Sequence, residues 1–198
     1  MNVNKALWET LDISILEREY SPSSCVPNYE ELVARYTSES EIIEDQINIT
    51  KDLIYDPSSG ECLDLSTTGD ASAPICIFFH GGYWQRGDKS IYSFLAAPFL
   101  QAKVNLVVVG YDLCPAVTIT HISEQAREAM AYIYRQAQAL KLDPQQLHVM
   151  GHSAGGHITQ MMMATDWPTW ADDLPEDMIK AGIPVSPLSY LEPVRLTQ

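Results

Sequence analysis

Two short, continuous apolar segments constrain the fold of this chain most strongly. Residues 75–79 read Ile-Cys-Ile-Phe-Phe, and residues 104–111 contain a second run of the same kind. A strand that is apolar at every position is typical of a parallel sheet covered on both faces. Amphipathic helices are predicted after each segment, over residues 88–101 and 120–140. This alternation predicts an α/β protein with a mostly parallel sheet and helices on both faces.

The segments before residue 75 have a different pattern. Residues 5–20 are weakly helical, and a clearer helix begins after Asn28, which has capping-box spacing to Glu31. Two alternating runs, residues 47–55 and 62–67, flank a Pro-Ser-Ser-Gly turn. They predict an antiparallel β-hairpin that precedes the parallel strands.

The segment Gly151-His152-Ser153-Ala154-Gly155 lies between a predicted strand and a predicted helix. A sharp turn there would hold the serine in a strained conformation with its hydroxyl above the sheet, and the glycines would avoid collisions with backbone. Helix-start N–H groups favour developing negative charge. The bare pattern arises by chance in about one chain of this length in fifteen. The flanking strand and helix make Ser153 the predicted nucleophile.

A second glycine-containing loop, His80-Gly81-Gly82-Tyr83-Trp84, directly follows the apolar segment at 75–79. Backbone N–H groups of such a loop can hold the oxyanion of an acyl-transfer reaction. We expect the oxyanion donors to be Gly82 and Ala154, with Tyr83 as a third candidate. Tyr83 and Trp84 are expected to line an aromatic substrate pocket, and core packing is an equally weighted alternative for Trp84. A tight turn without function is the alternative for the whole loop.

A family resemblance is carried by five segments: residues 80–84, 110–115 (Gly-Tyr-Asp-Leu-Cys-Pro), 151–157, 20–24 and 191–195. They resemble bacterial kynurenine formamidase-type α/β-hydrolases over nearly the whole chain. In that family, Tyr in place of the third Gly of an HGGG loop separates these enzymes from hormone-sensitive-lipase-like esterases. The resemblance implies hydrolysis of an aryl-formamide, foremost N-formylkynurenine to kynurenine and formate, or of a small carboxylic ester. It also implies that no metal and no organic cofactor is needed. Residues 185–188, Val-Ser-Pro-Leu, depart from the glycine-containing turn expected there.

The catalytic acid and base are not evident. In the α/β-hydrolase fold, an Asp or Glu and then a His follow the serine in chain order, but no histidine follows His157. Four aspartates lie between Ser153 and the last predicted strand, residues 181–185, which is too early to hold the base. We therefore expect a C-terminally truncated fold that lacks its last strands. We also expect the chain to be close to inactive, because a serine without its base is a poor nucleophile.

Several residues near these motifs have structural interpretations. His152 and His157 flank the serine, but the turn is expected to point Ser153 away from both, so packing or hydrogen bonding is predicted. His80 is expected to order its own loop, and Asp112, which precedes the serine, to be structural. The loop at residues 166–177 is predicted to cap the pocket, with an exposed linker as the alternative.

Composition argues against several functional classes. The net charge of -14, without a Lys/Arg cluster, argues against nucleic acid and anionic membranes as partners. No apolar run approaches the roughly 20 residues needed to span a bilayer, and residues 1–10 lack a signal-peptide core. The four cysteines have no metal-binding spacing, so we expect no metal site and a cytoplasmic location.

We expect a single domain over residues 1–198, with residues 1–40 as an N-terminal helical extension. The expected partner is a small-molecule ester or amide substrate. Missing strands would leave a parallel edge uncovered, which invites aggregation or pairing with a second copy, so a homodimer is a further expectation. Two alternatives to a formamidase remain: a short-chain carboxylesterase, and a non-catalytic, truncated hydrolase fold that binds a ligand or partner.

Overall fold

A six-stranded sheet lies at the centre of the computed structural model, which describes residues 6–21, 23 and 26–197. The strands are β1 Ile49–Asp56, β2 Glu61–Ser66, β3 Ile75–Phe79, β4 Asn105–Val109, β5 Leu147–His152 and β6 Ile179–Val185. Their spatial order is β1-β2-β4-β3-β5-β6. The β1–β2 hairpin is antiparallel and joins β4 antiparallel, whereas β4, β3, β5 and β6 run parallel. The predicted mostly parallel sheet with an N-terminal hairpin is confirmed.

Helices cover both faces of this sheet. They are α1 Ile13–Glu19, α2 Tyr29–Gln46, α3 Ala96–Gln101, α4 Ile119–Gln136, α5 Ala154–Met163 and α6 Trp167–Trp170, with 3₁₀ turns at Leu7–Thr10, Lys89–Leu95, Pro144–Gln146 and Val194–Leu196. Every residue of β3 is buried. Its odd-numbered side chains, such as Phe79, pack in the cluster that contains α4 and α5. Phe78 packs instead in a smaller cluster with Ala96 and Ile43, from α3 and α2.

The start of α2 differs from its prediction. Asn28 stands at the position before the helix, but its side chain makes no capping hydrogen bond. Its backbone has φ -122° and ψ 36° rather than the extended conformation of a capping residue, so the predicted capping box is wrong. A cap forms at α1, where the Asp12 carboxylate accepts from the N–H of Ser14 at 3.1 Å.

The helix predicted over residues 88–101 is divided in two. Lys89–Leu95 is a 3₁₀ turn, and the α-helix begins only at Ala96. Pro98 explains the division, because inside a longer helix it would leave the carbonyl of Phe94 unpaired and clash with it. In the first turn of α3, a residue without an N–H is tolerated.

The predicted cap at residues 166–177 is wrong. This connection leaves the end of α5 and returns to the start of β6, so it lies at the amino ends of the parallel strands, whereas Ser153 follows the carboxyl end of β5. Trp167 and Leu174 are each 2% exposed, and Asp173 pairs with Arg135 of α4 at 2.8 Å. The segment packs on the body of the protein and is neither a cap nor an exposed linker.

Strand β6 is hydrogen-bonded to β5 alone among the strands of the described residues. Its side chains are mostly exposed, and Ile183 and Val185 are among the exposed large apolar residues. None of the helices in the described part of the chain is long and apolar enough to cross a membrane.

Candidate active site

Ser153 stands at the sharp turn between β5 and α5. Its backbone has φ 55° and ψ -115°, in the positive-φ region that costs free energy for any residue with a side chain. The Ser153 N–H donates to the carbonyl of Val185 at 2.9 Å, and the Ser153 carbonyl accepts from the N–H of His157 at 3.0 Å. These bonds fix the strained backbone from both sides, and the side chain is partly exposed.

The glycines two positions before and after the serine are required sterically. A Cβ at Gly151 would lie 2.1 Å from the carbonyl oxygen of Gly155. A Cβ at Gly155 would lie 2.0 Å from the carbonyl oxygen of Phe79 and 2.5 Å from that of His80. The turn can therefore approach the end of β3 only without side chains at these positions.

The 80–84 loop lies directly against this turn. A Cβ at Gly81 would be 3.3 Å from the Cβ of Ser153 and 3.0 Å from the carbonyl oxygen of His152. The contact follows from the sheet, since β3 and β5 are parallel neighbours and Phe79 is in register with Gly151. The two motifs that the sequence singled out are thus brought together at the carboxyl edge.

The loop itself has an unusual backbone. Gly82, Tyr83 and Trp84 have consecutive positive φ values of 129°, 58° and 57°. The Gly82 carbonyl accepts from the N–H groups of Gln85 and Arg86 at 3.0 and 3.1 Å. A Cβ at Gly82 would lie 1.9 Å from the Arg86 carbonyl oxygen, so only glycine fits there.

The predicted oxyanion donors lie in suitable elements. Ala154 is the first residue of α5, so its N–H has no acceptor within the helix. The positive end of the helix dipole lies at the same place. The Gly82 N–H belongs to the loop that contacts Ser153 through Gly81. Together they can stabilise negative charge on an oxygen held next to the serine.

His80 orders the loop, as its sequence context suggested. Its ring lies between Tyr111, at a centroid distance of 4.2 Å, and Tyr92, at 5.7 Å, with both stacked nearly parallel. The Tyr111 hydroxyl donates to the His80 carbonyl at 2.7 Å. Burial lowers the pKa of His80 and raises those of Tyr111 and Tyr92, the latter to about 12. All three rings therefore stay neutral and act as a rigid support.

The two aromatic residues of the loop have different environments. Tyr83 is partly exposed, and its hydroxyl lies 3.2 Å from the Thr197 hydroxyl. Trp84 is 1% exposed and packs in the main core cluster. The structure thus gives Trp84 the core-packing role, and its prediction as a pocket-lining residue is wrong, because a side chain this buried presents no surface to a substrate.

The remaining candidates have different surroundings. His152 is exposed beside Gly81, whereas His157 is 8% exposed and burial lowers its pKa. The Asp112 carboxylate accepts from the Gln125 amide at 2.8 Å and lies 3.6 Å from the His121 ring, which ties it to α4. No group of three His, Cys, Asp or Glu side chains in the described part of the chain is arranged to hold a metal.

Three parts of this arrangement were missed at the sequence level. The carbonyl of Val185, at the end of β6, accepts the hydrogen bond from the Ser153 N–H. The rings of Tyr111 and Tyr92 stack on His80. The position of Tyr111 near His80 could have been predicted from the sequence. Tyr111 follows β4 and His80 follows β3, and these two strands are parallel neighbours. Nothing in the sequence singles out Tyr92, since it lies in a 3₁₀ turn within the segment predicted to be an α-helix.

Comparison with known proteins relates this geometry to one family. The family model described as BD-FAE matches residues 63–176. The kynurenine formamidase of Danio rerio is 31% identical over 96% of this chain, which spans 65% of that relative's length. A crystal structure of a candidate thioesterase from Silicibacter sp. tm1040 superimposes with a TM-score of 0.78 at 29% identity, over 92% of this chain and 67% of that one. The carboxylesterase EstE1, cloned from a metagenomic library, shares the fold at 20% identity and a TM-score of 0.62, over 80% and 55% of the two chains.

Proposed function

The chain belongs to the BD-FAE family and has the α/β-hydrolase fold, and from this premise we propose that it carries the nucleophile and oxyanion hole of a serine hydrolase. The observation that carries the proposal is the strained turn at Ser153, which lies against the glycine loop at residues 80–84. The proposal assigns the nucleophile and the oxyanion donors, and it places no general base among the described residues.

In the proposed reaction, the Ser153 Oγ attacks the carbonyl carbon of the substrate. The carbonyl π electrons move onto oxygen, and the N–H groups of Gly82 and Ala154 stabilise the resulting oxyanion. A base accepts the serine proton and then protonates the leaving group. The C–N bond of an amide, the C–O bond of an ester or the C–S bond of a thioester breaks, the acyl group stays on Ser153, and water releases it as a carboxylic acid.

The proposed substrate is an aryl-formamide, foremost N-formylkynurenine, whose hydrolysis yields kynurenine and formate. Support comes from the 31% identity to a kynurenine formamidase over 96% of this chain. Esters or thioesters are the second candidate class, which the superposition on a candidate thioesterase favours. Both classes share one mechanism and differ in the leaving group.

Steady-state kinetics on the 198-residue chain and on the complete product of its gene test the proposal. We expect the complete product to hydrolyse N-formylkynurenine with a kcat/KM above that for p-nitrophenyl acetate, and Ser153→Ala to abolish both activities. Ester turnover without formamidase turnover would leave the esterase alternative. Activity that survives Ser153→Ala would contradict the serine mechanism.

A further inference from the structure

Two buried rings connect the helix behind Ser153 to the 80–84 loop. Trp84 of the loop and His157 of α5 have ring centroids 5.3 Å apart and planes at 84°. Such an edge-to-face contact is a favourable geometry for aromatic rings. Trp84 is 1% and His157 8% exposed, so the contact is buried. It is a direct side-chain link between the two elements that form the proposed site.

The contact also buries two polar atoms that lack hydrogen bonds within the described part of the chain, which is energetically unfavourable. Trp84 Nε1 and His157 Nδ1 are both buried without a hydrogen-bond partner among the described residues. Unpaired buried polar atoms are unfavourable, and apolar side chains of the same shape would avoid the penalty. Burial also lowers the pKa of His157, which keeps its ring uncharged at neutral pH.

Trp84 is the fixed end of a strained loop. Positive φ is costly for residues with side chains, and such conformations persist only where the surroundings hold them. The Trp84 carbonyl accepts from the N–H of Cys114 at 2.7 Å, and its indole lies in the core. The residues directly before it, Gly82 and Tyr83, have the other two positive φ values in this loop, and Gly82 is one of the two proposed oxyanion donors.

We infer that His157 is a positioning residue for the reaction. Its ring holds the Trp84 indole, and through Trp84 it sets the position of the Gly82 and Tyr83 N–H groups relative to Ser153. His157 touches no substrate and transfers no proton in this role. The inference rests on the proposed function. A displacement of about 1 Å at a catalytic group can lower the rate by about a hundredfold, so a loose loop would reduce kcat.

Three variants on the same helix separate positioning from general stability. His157→Phe keeps an aromatic ring against Trp84, His157→Leu fills the space without a ring, and Met162→Ala removes a fully buried side chain. On p-nitrophenyl acetate, with the complete gene product well below its unfolding temperature, we expect His157→Leu to lose about ten- to a hundredfold in kcat with little change in KM. His157→Phe should stay within about threefold of the parent protein, and Met162→Ala should lower the unfolding temperature but leave kcat unchanged.

A second readout does not depend on turnover. In ¹⁵N–¹H spectra of the 198-residue chain, the Trp84 indole resonance, assigned with Trp84→Phe, and the Gly82 amide should both shift in His157→Leu. The chemical shifts of both resonances should be unchanged in Met162→Ala.

An unchanged kcat together with an unmoved Gly82 amide in His157→Leu would overturn the inference. A loss in His157→Phe as large as in His157→Leu would do the same, because the ring contact would then not be what holds the loop. A parent protein without activity, whose Gly82 amide still responds to His157→Leu, would count against the proposed function while supporting the link.

Discussion

At the scale of single residues, the site depends on positions where a side chain cannot fit. A Cβ at Gly155 would lie 2.0 Å from backbone at the end of β3, and backbone cannot move aside as a flexible side chain can. We expect Gly155→Ala to lower the free energy of unfolding by about 3 kcal/mol or more. Gly69→Ala is the control, because Gly69 has φ 81° but, apart from its chain neighbours, no atom of the described residues lies within 4 Å of its Cβ position, so the change should cost only about 1 kcal/mol. Urea unfolding measures both, and equal losses would contradict the steric account.

Two buried histidines make stability depend on pH. Burial lowers the pKa of His80 and of His157, so both bind a proton less readily in the folded protein than in the unfolded chain. In the unfolded chain they titrate near 6.5, so below that pH the unfolded state binds more protons than the folded state. The free energy of unfolding should therefore fall as pH drops below about 6.5, by at most about 1.4 kcal/mol per pH unit for each histidine.

Urea unfolding at a series of pH values from 7.5 to 5.5 checks this expectation. His157→Leu should show a shallower pH dependence than the parent chain, since one of the two groups is gone. Stability that stays constant or rises over this range would show that the histidines are accessible in the folded state.

At the scale of elements, a buried ion pair holds the 3₁₀ turn after the glycine loop onto the hairpin. Lys89 Nζ donates to Asp64 Oδ1 at 2.6 Å and to Asp52 Oδ1 at 2.7 Å, and Lys89 and Asp64 are 9% and 3% exposed. Burial alone would lower the pKa of Lys89, but its hydrogen bonds to the two carboxylates outweigh this and raise it. The pair thereby joins this 3₁₀ turn to β2.

Removing one partner of this ion pair should lower the free energy of unfolding. Lys89→Met would leave Asp64 buried without its cation, and we expect a loss of about 3–5 kcal/mol in the free energy of unfolding. Lys89→Met combined with Asp64→Leu should recover most of the loss, because apolar residues of similar volume replace both charges. A double-mutant cycle by urea unfolding measures the coupling, and a single-variant loss below about 1 kcal/mol would contradict the account.

The strands were predicted correctly from the sequence, whereas one helix and one helix cap were not. Residues 75–79 were predicted as a strand because their side chains are uniformly apolar, and the segment before Gly151 was predicted as a strand because it leads into the glycine-flanked serine turn. The 88–101 segment and the Asn28 cap were mispredicted, since Pro98 and the backbone angles at Asn28 decided the outcome locally.

At the scale of the whole molecule, sequence patterns did not predict which distant segments contact each other. The bond from Ser153 to Val185 and the position of residues 166–177 depend on how elements assemble. The meeting of the Ser153 turn and the 80–84 loop was predictable, because both follow strands whose carboxyl ends share one edge.

The exposed edge strand carries a prediction about assembly. We propose that β6 mediates self-association of this chain, because no strand of the described residues pairs with its outer edge and Ile183 is 56% exposed. Ile183→Lys should lower the association constant in sedimentation equilibrium. Ile42→Lys on α2, where the parent side chain is 55% exposed, should have no effect. Equal effects of the two variants, or none, would contradict a role for this edge.

The central claim is that a strained turn presents the Ser153 hydroxyl beside N–H groups of the glycine loop. The most direct measurement treats the complete gene product with a fluorophosphonate and maps the adduct by mass spectrometry. We expect one adduct on Ser153, which is lost in Ser153→Ala and forms more slowly in His157→Leu. An adduct on another residue, or none under conditions that label other serine hydrolases, would contradict it.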